Sequence, residues 1–139
     1  MATSIQEVMT PDPVTMDPNS TATDAARAMR DSDTGDVLVV ENGNLVGIVT
    51  DRDIAVRAVA EGRNPSEIRL GDIASRDIAT VSPNDSVDKV AEIMRQRAVR
   101  RIPVVEGGKP VGVVSIGDLA VERDPDSALG DISSKPPNT

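Results

Sequence analysis

Gly47-Ile48-Val49-Thr50-Asp51-Arg52-Asp53 returns, altered, 65 residues later as Gly112-Val113-Val114-Ser115-Ile116-Gly117-Asp118. Each copy sets a glycine in an apolar run, then a hydroxyl residue, then an aspartate three positions on. An apolar run that meets Thr/Ser-x-x-Asp reads as a strand ending where a helix begins. A helix start carries unpaired N–H groups and the positive end of the macrodipole, which favour anions. An aspartate beside it can accept two hydroxyl hydrogens, as a ribose diol would offer. Thr50-x-x-Asp53 and Ser115-x-x-Asp118 also read as plain helix-capping boxes, and one residue can serve both purposes.

Working outward, the two heptapeptides lie inside a longer repeat. At the same offset Pro18-Asn19 matches Pro83-Asn84, and Met29-Arg30 matches Met94-Arg95. Val39-Val40-Glu41 matches Val104-Val105-Glu106, and Ala55-Val56 matches Ala120-Val121. From Val8 to Val56 about a third of positions are identical without a gap, the mark of an internal duplication.

The elements follow from local signals. Ser4-x-x-Glu7 caps a short helix that Pro11 and Pro13 end. Val14-Thr15-Met16 is a short strand. Ala22, Ala25, Ala26 and Met29 mark one face of a helix, as do Val87, Val90, Ala91 and Met94 in the second copy. Val37 to Val40 and Leu45 to Val49 flank an Asn42-Gly43 hairpin turn. A helix runs from Asp51 to about Ala60, with Gly62 as its C-terminal cap and Pro65 as a stop beyond it. Each repeat is thus helix, strand, helix, strand, strand, helix. The expected fold is α/β (α+β): two βαββα units packed sheet to sheet about a pseudo-two-fold. The expected divisions are 1–62, 63–123 and a mostly disordered tail, 124–139, from which Ala128, Leu129 and Ile132 could dock.

Composition narrows the function. The 139 residues carry a net charge of −8, which disfavours a sequence-independent grip on nucleic acid or an anionic membrane. There is no cysteine and no histidine, so no thiolate nucleophile, zinc–thiolate site or imidazole base. No apolar run is long enough to span a bilayer, and Met1-Ala2-Thr3-Ser4 lacks a basic signal-like region; a soluble cytoplasmic protein is expected. Phe, Tyr and Trp are all absent, so a flat heteroaromatic ligand would have to lie between aliphatic side chains.

With these residues in view, the chain resembles a tandem pair of cystathionine-β-synthase (CBS) domains, the arrangement called a Bateman module. The likeness spans roughly Ile5 to Arg123. It rests on Val8-Met9-Thr10-Pro11, on Arg101-Ile102-Pro103-Val104-Val105, and above all on the paired Gly-x-x-[Ser/Thr]-x-x-Asp. The resemblance implies clefts between the repeats that hold adenosine-containing ligands such as AMP, ADP or ATP, sometimes S-adenosylmethionine. It implies ribose contacts from Asp53 and Asp118, and ribose or phosphate contacts from Thr50, Arg52 and Ser115. It implies aliphatic walls for adenine from Val14, Val37, Ile78, Ile102 and Pro103. It further implies that residues ahead of one repeat's middle strand serve the ligand held by the other repeat's aspartate. Arg100 and Arg101 would then favour phosphate at Thr50/Asp53, and Asp36 would oppose it at Ser115/Asp118. No required cofactor, metal ion or catalysis is implied. The partners are a regulatory adenine nucleotide, a second copy in a homodimer, and an unidentified protein target.

Two rival readings stay open. One is a ligand-free structural pair that acts by dimerising or docking, with Asp53 and Asp118 as caps only. The other is a phosphohydrolase that uses Asp51 and Asp53 with Mg²⁺.

Overall fold

The computed structural model describes residues 3–123 and 126–135. The chain divides into two compact units. One spans residues 13–78 and holds the first repeat; the other joins residues 1–12 to 79–139 and holds the second. These limits differ from the division at 62/63. The segment ahead of each repeat packs onto the other repeat.

In the first-repeat unit, β2 (Thr15–Met16), β3 (Asp36–Glu41) and β4 (Asn44–Thr50) form one sheet in the order β2-β3-β4. β2 runs parallel to β3, and β3 and β4 form an antiparallel hairpin. The hairpin turns at Asn42 and Gly43, both with positive φ (54° and 82°), the conformation an Asn-Gly pair favours. Helix α1 (Ala22–Ser32) begins at Thr21, whose Oγ1 accepts from the Asp24 N–H while Asp24 accepts from the Thr21 N–H. Its buried face, Ala22, Ala25 and Met29, packs with Val37, Val39 and Val49. Ile68, Leu70 and Ile73 complete this core; the last two belong to α3 (Leu70–Ile73).

The helix expected from Asp51 to about Ala60 begins as α2 (Asp51–Ile54) and continues as a π-helical turn, Ala55–Val59. The Ala60 N–H donates to the Ala55 carbonyl at 2.9 Å, the five-residue step of that geometry. Gly62 has φ +71°, as a C-terminal cap requires. Pro65 opens a 3-10 turn, Pro65–Glu67, capped by the Asn64 side chain. It stands at the first position of that turn, where its missing N–H costs nothing.

The second-repeat unit mirrors this plan. β5 (Arg101–Glu106) and β6 (Lys109–Ser115) form the hairpin, and Val81 bridges Val104 in the place that β2 takes beside β3. Helix α4 (Val87–Arg97) starts at Ser86, whose Oγ accepts from the Lys89 N–H. Just ahead of it, the Ser82 N–H and then the Lys89 ammonium hold the Asp85 carboxyl below its usual range. The third strand is β1 (Thr10–Pro11), antiparallel to β6. Ile5 lies in a 3-10 turn, Ile5–Glu7, and is fully buried among Val81, Val87, Val90 and Ile102.

Helix α5 (Ile116–Arg123) follows β6, and α6 (Ala128–Ser133) packs against it. Within the tail expected to be mostly disordered, this helix carries Ala128, Leu129 and Ile132, the residues expected to dock if any did. Ser127 caps α6 by accepting from the Gly130 N–H at 3.0 Å, and Gly130 is buried. The parts of that expectation that fall on 124–125 and 136–139 lie outside the described residues.

Candidate functional site

Both heptapeptides form the strand-to-helix end that their residues imply. In the first repeat the Thr50 N–H donates to Asp53 Oδ2 at 2.8 Å, and the Asp53 N–H donates to Thr50 Oγ1 at 3.2 Å. In the second, the Ser115 N–H donates to Asp118 Oδ2 at 2.9 Å, and the Asp118 N–H donates to Ser115 Oγ at 3.1 Å. Each box satisfies two of the orphan donors of a helix start. All four residues are half-buried. Each box is also tied to the residue ahead of the middle strand: Asp51 N–H donates to Gly35 O, and Ile116 N–H to Arg100 O.

The sheet register then decides what stands beside each end within its own repeat. Asp36 pairs with Thr50, and Arg101 pairs with Ser115. Directly paired residues project to the same face, so a carboxylate neighbours the first box and a guanidinium the second. Asp36 is buried and accepts from Thr34 Oγ1 at 2.9 Å. Both Asp36 and Arg101 are engaged in further interactions.

Arg57 is a residue that the sequence reading missed. Its Nη1 donates to the Ile73 carbonyl at 2.7 Å, and its Nε stands 3.9 Å from Asp53 Oδ1. A cation is thus held one turn beyond the first box, against the carboxylate oxygen that the cap does not use. The i, i+4 spacing from Asp53 was the available signal. The corresponding position in the second repeat is Glu122, which accepts from Thr3 Oγ1 at 3.1 Å. Arg52 is exposed in the first turn of α2.

The expected adenine walls fall into two groups. Val37 and Ile102 are fully buried in the cores of their repeats, and Pro103 is buried. Their packing role is met without a ligand. Val14 and Ile78 are half-buried and remain accessible. Among the described residues no three acidic side chains gather as a metal site. Nor is any described helix long and apolar enough to cross a membrane.

Two like units, each a three-stranded sheet with a capped helix leaving its last strand, define a duplicated α/β fold. The description "CBS domain" matches residues 5–59 and 70–123. The chain belongs to the CBS-domain family and carries a tandem pair. It is 36% identical over 127 residues to the CBS domain-containing protein YhcV of Bacillus subtilis, covering 91% of this chain and 90% of that one. Its fold matches a putative signal-transduction protein with CBS domains from Burkholderia ambifaria with a TM-score of 0.81 and 30% identity, over 90% and 96% of the two chains. It also matches a CBS domain pair solved in complex with 5′-methylthioadenosine and S-adenosyl-L-methionine, with a TM-score of 0.78 and 27% identity, over 86% and 94%.

Proposed function

We propose that the chain is a sensor module that binds an adenosine-containing ligand, AMP, ADP or ATP in kind, and has no chemistry of its own. The observation that carries this is the twice-built strand-to-helix end in which a cap needs only one carboxylate oxygen. At Asp53 the cap takes Oδ2, and Oδ1 faces Arg57 at 3.9 Å. The solved relative that holds two adenosine derivatives adds weight to that class of ligand. Asp53 and Asp118 accept from the ribose hydroxyls, and the half-buried aliphatic residues Val14 and Ile78 lie along the base. The rival without a ligand rests on the same capping bonds, which account for both aspartates by stability alone.

The phosphate-bearing end, on this proposal, is Thr50/Asp53, with Arg52 and Arg57 of the same unit beside it; the family resemblance adds Arg100 and Arg101. Titration calorimetry with AMP and ATP tests it. Asp53→Ala, and separately the double change of Arg100 and Arg101 to Ala, are expected to weaken binding at least tenfold, with Asp118→Ala doing much less. Loss of binding in Asp118→Ala alone would reverse the assignment. Thermal unfolding followed by circular dichroism gives a second readout. A ligand at 100 times its dissociation constant stabilises by about 2.7 kcal/mol, a shift of several degrees. No shift with any adenine nucleotide at millimolar concentration would favour the ligand-free rival.

Homodimerisation belongs to the same proposal. Val56 and Val59 stand 45% and 62% exposed on the helical face after β4. Sedimentation at high micromolar concentration is expected to show a dimer that Val59→Asp dissociates; a wild-type monomer would end the idea.

A further inference from the structure

The two helix starts differ in what lies over them. In the first repeat Asp51, Arg52, Ala55 and Val56 are all exposed. Of their counterparts in the second repeat, Ile116 is also exposed, while Gly117, Ala120 and Val121 are half-buried. The element packed on them is α6. A Cβ added at Gly117 would fall 2.6 Å from Ser133 Oγ and 3.0 Å from Ser133 Cβ, with Ser115 Oγ at 3.6 Å. Ser133 therefore sits against the first turn of α5, beside the hydroxyl that caps it. A side chain at this position would have to push Ser133 aside; the first repeat has Arg52 there. Gly130, one turn earlier on α6, is buried. Leu129 shares a groove of about 760 Å³ with Ile116, Leu119 and Ala120 of α5 and with Met94 of α4.

The attachment is slight. Helix α6 has six residues, too few to persist once undocked. Leu129 and Ile132 are 44% and 69% exposed even when it is docked. An element with so little burial opens at low cost compared with the core. We propose that α6 is a strap over the Ser115/Asp118 end, closing it to an adenosine-containing ligand until the strap is displaced. This rests on the nucleotide reading above. Apparent affinity at the covered end is then the intrinsic affinity reduced by the fraction of molecules with α6 undocked. The two ends of one chain thereby respond over different ranges of ligand concentration. The open end fills first, and release of α6 reports the filling of the second.

The test uses the full chain carrying Asp53→Ala, so that only the second end is read, with AMP and 5′-methylthioadenosine as probes. Leu129→Asp, and independently Ser133→Leu, undock α6 without touching the proposed ligand contacts. Hydrogen exchange at residues 128–134 is expected to speed up in both variants, and also in the Leu129/Ser133 chain when a probe is added. Calorimetry is expected to show binding at least tenfold tighter in both variants, a gain that Asp118→Ala removes. If exchange rises in the variants while affinity stays the same, the strap is overturned and the nucleotide reading stands on the binding that remains. If neither variant changes exchange, α6 is not held by this contact and the strap is likewise overturned. If no probe binds any of these chains, nor the wild-type chain titrated beside them, both readings fall together.

Discussion

Gly112→Ala is expected to destabilise the second-repeat unit by about 3 kcal/mol, in the upper part of the range for overpacked sites, and to lower the melting temperature by roughly 10 °C. Gly112 lies in β6, opposite Val104 of β5 on one side and Pro11 of β1 on the other. A Cβ there would fall 2.5 Å from Met9 Sδ, 3.0 Å from Met9 Cγ and 2.9 Å from the Thr10 carbonyl oxygen. The methionine can swing aside, because its side chain is long and unbranched. The carbonyl cannot move without loosening the pairing of β1 with β6. The first-repeat counterpart, Gly47, is less confined: its added Cβ would meet Ala74 Cβ and the Ser75 carbonyl oxygen, both at 3.1 Å. Gly47→Ala should therefore cost distinctly less. Adding Met9→Ala to Gly112→Ala should recover part of the loss and leave the part due to the carbonyl. Denaturant unfolding of the three variants beside wild type reads the order directly. A Gly112→Ala chain that melts within two degrees of wild type, or below which Gly47→Ala falls, would show that this strand edge is looser than its geometry.

What the sequence reveals of this fold is what depends on neighbours along the chain. The hairpins β3–β4 and β5–β6 are legible because a β-branched run, a turn with glycine and a second apolar run follow each other directly. The capping boxes are legible for the same reason, since Thr50 and Asp53 meet within one turn. The family resemblance rests on these local features, repeated. Less legible is which copy a segment packs against. Val8-Met9-Thr10 and Ile73-Ala74-Ser75 occupy the same place in the repeat, and both carry an apolar pattern that demands burial. Periodicity shows that such residues are buried, not which sheet buries them. In the folded chain each lies over the glycine of the other copy: Met9 and Thr10 over Gly112, Ala74 and Ser75 over Gly47. The C-terminal helix was hidden by a different cause. Ala128, Leu129 and Ile132 give a weak apolar face, and its docking depends on the missing Cβ of Gly117, which in the sequence is one more difference between two imperfect copies. Arg57 went unnoticed because an exposed helix arginine is ordinary until its carboxylate partner is seen.

Ile5→Ala is expected to cost 2–5 kcal/mol, the range for emptying a fully buried branched aliphatic site, although it stands close to the N-terminus. The position is tied down on every side. The Ile5 N–H donates to the Asp85 carbonyl at 2.9 Å, and the Gln6 N–H to the Pro83 carbonyl at 3.1 Å. The Val87 N–H donates to the Thr3 carbonyl at 3.2 Å, and Ser4 bridges Ser86. These bonds hold the segment against the start of α4, so the space left by the shortened side chain cannot close by letting the chain drift away. Its side chain fills the core formed by Val81, Val87, Val90, Met94 and Ile102. The counterpart in the other core is Leu70, also fully buried, and Leu70→Ala should cost a similar amount. The two changes should differ in where the loss appears. Hydrogen exchange in Ile5→Ala should rise first at 87–97 and 101–115, and in Leu70→Ala at 22–32 and 36–50. The reverse pattern, with Ile5→Ala exposing 22–50, would return the N-terminal segment to the first repeat. Ile132→Ala, at an exposed position, should fall within about 0.5 kcal/mol of wild type and so separates burial from the mere loss of an isoleucine.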